Sequence, residues 1–245
     1  MKKIKMEGKS YDWCKNALAR FRNVDQTSTQ LAPAEKRTVE KKGGKQVRII
    51  GPPEEKTCFT LTLTVGADGA KYPAIVVFKT SSKTGKIPSH VLKRYNIPEN
   101  VIVMGSRSGW WTKELDDEYI HLMYPENQDA PTFLLRDHAP VHTRNMAAAL
   151  LKKKNVTQIF VPNCRTDEFQ PLDATVNRAF KASFASKYHA WMSSPDRKQT
   201  KTGNAQNPSK TQFIHWVSEA WNEVTTECVK AGFKEACWKH ISDEN

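Results

Sequence analysis

The sequence predicts an α/β protein: a mixed sheet flanked by helices, with a helical extension at the C-terminus. Three patterns predict it. Residues 57–65 alternate threonine with apolar side chains, the period of a strand. Gly66-Ala67-Asp68-Gly69 then turns the chain into a return strand at 72–79. Residues 132–135 and 156–161 are short apolar runs joined by a helical run at 143–155, a βαβ unit whose strands lie parallel in one sheet. Amphipathic helices at 173–192 and 211–230 close the chain.

Taken in order, residues 1–20 are a charged lead-in with a short helix at 11–19, and 21–25 read as a strand ending in Asp25. Residues 28–45 are polar, with Pro33, Gly43, Gly44 and several lysines, and form a loop. A short strand at 46–50 is closed by Gly51-Pro52-Pro53. Asp68 in the hairpin tip is turn chemistry rather than a site acid. Residues 80–98 are a Lys-, Ser- and Pro-bearing connection to a strand at 101–104. Thr112 is an N-cap for a helix at 112–124, with Leu115, Tyr119, Leu122 and Met123 on one side. Residues 125–130 break it. In the helix at 143–155, Met146, Ala149 and Leu150 are at helical spacing, and Lys152-Lys153-Lys154 suit its C-terminus. Along 173–192 the apolar stripe is Val176, Phe180, Phe184, Tyr188 and Trp191, and Asp173, three residues before Val176, shares that inward face. A polar linker spans 193–209, and Phe213, Ile214, Val217, Trp221 and Val224 line the last long helix. The expected division is a core over 21–192, the linker, and a helical tail over 210–245.

The chain has 245 residues and 27.9 kDa, enough for one sizeable core. No run approaches the roughly 18 apolar residues of a membrane span, and no apolar segment follows the basic Met1-Lys2-Lys3 start as a signal peptide requires. The five cysteines (14, 58, 164, 228 and 237) contain no CxxC pair, so neither a zinc site nor a disulfide framework is supported, and reduced thiols inside the cell are expected. His215, Cys228, Cys237 and His240 also lack zinc-finger spacing. The formal charge of +12 and pI near 9.5 suit a polyanionic partner, of which nucleic acid is the commonest in the cell.

The predicted order is strand–acid, hairpin, short strand, helix, strand–acid, helix, strand, acid–helix, which is that of a ribonuclease-H-like fold. In such a sheet Asp25, Asp137 and Asp173 converge at one end. Each acid alone has an ordinary reading: a strand-end turn for Asp25, a turn before Pro140 for Asp137, a helix cap for Asp173. Together, three close carboxylates need a compensating cation. An all-oxygen ligand set selects Mg²⁺ or Mn²⁺ over zinc.

These residues carry a resemblance. Asn23-Val24-Asp25-Gln26-Thr27, the hairpin ending in Pro73-Ala74-Ile75-Val76-Val77-Phe78, Gly109-Trp110-Trp111-Thr112, Leu135-Arg136-Asp137-His138-Ala139-Pro140-Val141-His142 and Phe169-Gln170-Pro171-Leu172-Asp173 occur in the order found in pogo/Tigger/jerky-type transposases of the Tc–mariner superfamily. The 35 residues between Asp137 and Asp173 suit that superfamily, and the likeness runs from about Asn23 to Phe233. His138 stands where the family usually has Asn. Only 24 residues precede Asp25, where full-length relatives carry helix-turn-helix domains, so a catalytic core without its sequence reader is expected.

The resemblance implies a metal-dependent DNA endonuclease or transposase catalytic domain, acting in the nucleus. Asp25, Asp137 and Asp173 are its catalytic and metal-binding acids, Mg²⁺ (or Mn²⁺) its cofactor and DNA its partner, and a homodimer is the candidate assembly. The other reading is a domesticated, inactive module that binds nucleic acid or protein. His142 either orients a water or carboxylate or is structural, and Gln170 either contacts the scissile strand or braces its turn. Lys152, Lys153, Lys154, Arg178 and Lys181 are candidate phosphate contacts, with dipole compensation the plainer role for the three lysines. Trp110 and Trp111 suit base stacking, and one of them suits the core.

Overall fold

A computed structural model describes residues 17–30, 58–126, 128, 130–162, 165–194 and 206–238. The strand expected at 46–50 and most of the helix at 11–19 lie outside the described residues. Six strands form one mixed sheet: β1 (Phe21–Gln30), β2 (Cys58–Gly66), β3 (Ala74–Lys79), β4 (Val101–Ser106), β5 (Thr132–Arg136) and β6 (Val156–Phe160), in the order β4-β3-β2-β1-β5-β6. Only β2 runs against the others, because β1–β2 and β2–β3 are antiparallel while β3–β4, β1–β5 and β5–β6 are parallel. The carboxyl ends of the other five strands therefore share one end of the sheet. This is the ribonuclease-H-like arrangement expected from the sequence.

The hairpin forms as its pattern predicts, and the Asp68 carboxylate accepts from the Ala70 amide at 3.0 Å within the turn. β1 is longer than expected. It continues past Asp25 to Gln30, because Gln26 to Gln30 pair with Thr62 to Cys58 of β2. Its other neighbour, β5, pairs only as far as Asn23. Asp25 thus lies in mid-strand, beside the open edge left where β5 ends, and not in a strand-end turn.

Helices cover both faces. On one lie α1 (Lys113–Met123) and α2 (Asn145–Lys153). Leu115, Tyr119, Ile120, Ala147 and Leu151 pack there against Val24, Ile75, Val77 and Leu134. Thr112 caps α1 by accepting from the Leu115 amide. Three apolar assignments shift: Leu122, Met146 and Ala149 are exposed, and Ile120, Ala147 and Leu151 are buried instead. On α2 the buried positions are four apart, so the inward face passes between the residues first read as its stripe.

On the other face lie α3 (Asn177–Met192), α4 (Lys210–Glu223) and α5 (Thr226–Phe233). Phe180, Phe184 and Tyr188 of α3 and Phe213, Val217 and Trp221 of α4 meet Phe59, Leu61, Leu63 and Phe78 in the larger core. The single helix expected at 211–230 is two, since Thr225 accepts from the Cys228 amide at 3.1 Å and starts a new helix. The Lys71 ammonium donates to the carbonyls of Trp221 (2.6 Å) and Asn222 (3.1 Å), satisfying the C-terminal end of α4. No helix among the described residues is long and apolar enough to cross a membrane.

Candidate active site

Asp25 and Asp137 occupy neighbouring parallel strands, each two residues beyond the pair Asn23–Leu135. Asp137 follows the last residue of β5, with its side chain 35% exposed. The turn Gln170–Asp173 is tied onto β1 by two side chains. The Asn23 Oδ1 accepts from the Leu172 amide at 2.9 Å while its Nδ2 donates to the Leu135 carbonyl at 3.0 Å. Gln170, fully buried, donates from Nε2 to the Val24 carbonyl at 3.2 Å. The Gln170 side chain therefore braces the turn.

Asp173 is exposed and does not share the buried stripe, a correction to the inward placement read from spacing. Residues Leu172–Val176 form a π-helical turn leading into α3. Its wider winding breaks the three-residue relation between Asp173 and Val176, so Leu172 and Val176 go inward and Asp173 stays at the rim. There it meets Asp25 through Asn177, whose Nδ2 donates to Asp173 Oδ1 at 2.8 Å and to Asp25 Oδ2 at 2.9 Å. Burial, then the charge of Asp173 and less that of Asp137, push the Asp25 carboxyl up to about 6 against the pull of the Asn177 amide.

Asp137 touches the opposite face of the sheet through His142. The buried imidazole places Nε2 3.3 Å from Asp137 Oδ1 and 2.9 Å from Gln26 Oε1, and Nδ1 3.1 Å from Asp116 Oδ1. Arg136 and Asp116 complete this network beneath the site. Arg136 Nη1 donates to Asp116 Oδ1 and Oδ2 at 3.0 and 3.3 Å, and Trp111 Nε1 to Asp116 Oδ1 at 3.2 Å. Burial alone would raise the Asp116 pKa. The His142 hydrogen bond and the Arg136 charge outweigh it and hold that carboxyl below its usual range.

Asn177, Asp116 and Arg136 were not singled out from the sequence. Asn177 had a signal, lying one helical turn after Asp173, but an Asn inside an amphipathic pattern reads as surface. Asp116 lies in the first turn of α1, where an acid is ordinary.

The other candidates divide by position. Arg178 and Lys181 are exposed on the first turns of α3, at the site's end of the sheet. Lys152 and Lys153 are exposed at the far end of α2, where the crossover has returned to the amino ends of the strands. Lys154 is buried and donates to the Tyr124 carbonyl at 2.8 Å, so it is no phosphate contact. His138 is exposed and packs edge-on against Phe160.

Among the described residues no three His, Cys, Asp or Glu side chains already form a metal cage. The donor chemistry nevertheless fits a hard cation. Asp25, Asp137 and Asp173 offer only oxygens and repel one another, and the buried Oδ1 of Asn177 beside them has no hydrogen-bond partner.

Comparison with known proteins gives the family and the fold. Residues 56–233 match the family model of the DDE superfamily endonuclease. The protein described as "Pogo transposable element with KRAB domain" is 26% identical in Mus musculus and 27% in Homo sapiens over 230 residues. That is 92% of this chain and 36% of each relative, so the chain spans about a third of their length. Among solved structures, the Mos1 Strand Transfer Complex superposes with a TM-score of 0.56 at 14% identity, covering 96% of this chain and 57% of that one. The Mos1 mariner paired end complex with Mn gives 0.54 at 14% identity, covering 96% and 60%. These likenesses establish the fold, and the family match over 56–233 establishes the lineage: the chain belongs to the DDE superfamily endonucleases.

Proposed function

We propose that the chain is the catalytic domain of a DNA endonuclease of the transposase type, with Asp25, Asp137 and Asp173 as its catalytic, metal-binding acids. One observation carries this reading: acids from β1, the end of β5 and the turn before α3 lie close enough for the charges of Asp173 and Asp137 to act on Asp25, and Asn177 bridges two of them. The relatives described as pogo transposable elements and the Mos1 complexes with transposon ends and with Mn support it. The cofactor is Mg²⁺ or Mn²⁺, the partner DNA and the place of action the nucleus, with a homodimer as the candidate assembly. Held by Asp25, Asp137 and Asp173, two such ions would supply activation of a water and stabilisation of the leaving oxygen in an in-line phosphodiester displacement.

The chain's own residues prepare that chemistry. Asn177 keeps Asp25 and Asp173 together, and Asn23 and Gln170 fix the height of the turn that carries Asp173. His142 holds Asp137 against Gln26 from below, so it is a positioning residue. Arg178 and Lys181 supply exposed positive charge for phosphates at the same end.

The test is nicking of supercoiled plasmid in Mg²⁺ or Mn²⁺. Wild type should nick, and Asp137→Ala should lose at least about a thousandfold in rate, on the scale of removing a group the reaction needs in its transition state. Folded wild-type protein that binds DNA without nicking it in either metal overturns the reading. It would favour instead a domesticated binding module, the alternative for which His138 in place of Asn speaks.

A further inference from the structure

The segment 79–113, which links β3, β4 and α1, is basic out of proportion to its length. It holds seven lysines and arginines and a single acid, Glu99, and so supplies half of the formal net charge of +12. Lys79, Lys83, Lys86 and Arg107 are exposed, and none pairs with an acid among the described residues. Amid them the indole of Trp110 is 60% exposed, although Trp111 beside it is half-buried against Tyr119 and tied to Asp116.

Trp110 is exposed on a braced loop, not a loose one. The buried Thr60 hydroxyl donates to the Gly109 carbonyl at 3.0 Å, and the buried Ser106 hydroxyl to the Trp110 carbonyl at 2.8 Å. The Trp110 amide donates to Ser108 Oγ at 3.2 Å. Gly109 has φ +81°, and a Cβ there would meet the Lys79 side chain at 3.2 Å, so glycine is needed for this close approach. Four neighbours thus fix the backbone that turns one tryptophan in and the next one out.

The loop also lies at the same end of the sheet as the carboxylates. β1, β3, β4 and β5 run the same way, so the loops after β3 and β4 lie at the sheet end that carries Asp137. Thr60, which holds Gly109, pairs with Ser28, three residues beyond Asp25 on β1 and so about 10 Å along the strand. The sequence of contacts Trp111–Asp116–His142–Asp137 joins the loop to the second acid.

We infer that Trp110 is a stacking platform for an unpaired base of the DNA strand next to the scissile phosphate, with Lys79, Lys83 and Arg107 holding that strand's phosphates. A flat exposed indole in a segment rich in unpaired cations is the combination that grips single-stranded DNA without reading its sequence. The inference rests on the proposed function for its choice of DNA as substrate.

The test measures binding of a fluorescein-labelled single-stranded DNA oligonucleotide in EDTA, where no cleavage occurs, with a second oligonucleotide carrying 2-aminopurine. Trp110→Ala should weaken binding about tenfold or more and abolish the quenching of 2-aminopurine, and Trp110→Phe should recover most of both. The double variant Lys83→Ala/Arg107→Ala should lower the slope of log K against log salt by about 1.4. Equal affinity of wild type and Trp110→Ala, with unfolding temperatures unchanged, overturns the inference. So does tighter binding of an acidic peptide than of the oligonucleotide at this loop. Trp110-dependent binding without plasmid nicking would leave this surface standing and sink the endonuclease reading; nicking with Trp110-independent binding would do the reverse.

Discussion

Asp116 and Asp25 lie on opposite faces of the same sheet, and both are largely withdrawn from water, yet their circumstances are opposite. Asp116 is surrounded by donors: Arg136, the His142 ring and the Trp111 indole converge on it, and its carboxyl is held below the usual range. Asp25 has only neutral amide donors, the Asn177 side chain and the Gln26 backbone, and two further carboxylates nearby, and its carboxyl is pushed up to about 6. A buried charge that the fold neutralises is a piece of scaffold. One left beside its like is a place the fold prepares for a cation from outside. His142 joins the two, since its ring nitrogens face Asp116 on one side and Asp137 on the other.

The comparison breaks most visibly at Asp116. Asp116→Ala leaves the Arg136 guanidinium buried without a counter-charge and should cost about 3–5 kcal/mol in urea unfolding. Because the folded protein holds this carboxyl below its usual range, its contribution is present at neutral pH and fades as pH falls below about 4. Asp25→Asn should act with the opposite sign. Folding raises that pKa from 3.8 to about 6, so ionisation costs the folded state, and the cost is full above pH 6. The variant should therefore be about 3 kcal/mol more stable than wild type at pH 7 in EDTA, with the gap closing by about pH 4 and vanishing when Mn²⁺ is added. A thermal-unfolding series from about pH 2 to pH 7 reads both.

Smaller effects sharpen the picture. A Cβ on Gly232 of α5 would lie 2.5 Å from the Pro171 carbonyl and 2.7 Å from Thr175 Oγ1. Gly232→Ala should cost about 1–3 kcal/mol by crowding, and should slow nicking because that turn carries Asp173. His138→Asn should change stability by less than about 0.5 kcal/mol, since the ring is exposed and packs only edge-on on Phe160. A large change in unfolding temperature would show that His138 has been misjudged.

The sequence made the sheet legible because its strands carry unambiguous periods: the threonine alternation at 57–65 and the apolar runs on either side of α2. The three acids stand out in it only through their joint order, since each one alone suits a cap or a turn. What it hid has physical reasons. The length of β1 past Asp25 depends on pairing with β2, about 30 residues away, and its polar Gln26 to Gln30 carry no apolar signal. The exposure of Asp173 follows from a π-helical turn, which shifts the face of every residue before it and has no sequence period of its own. The Asp116–Arg136–His142 network joins residues 116, 136 and 142 from different elements, and nothing local marks Arg136 as buried. Lys154 misled in the same way, because a lysine run reads as surface while one member bends in to cap the Tyr124 carbonyl.

The central proposal is that the carboxylates of Asp25, Asp137 and Asp173 hold a divalent cation. Calorimetric titration of Mn²⁺ into wild type, Asp25→Ala, Asp137→Ala and Arg178→Ala, each with and without nicked duplex DNA, tests it most directly. The account predicts Mn²⁺ binding by wild type and Arg178→Ala and its loss in both aspartate variants. Wild-type protein that takes up no Mn²⁺ even with DNA present, or an Asp25→Ala variant that binds it as wild type does, would contradict the account.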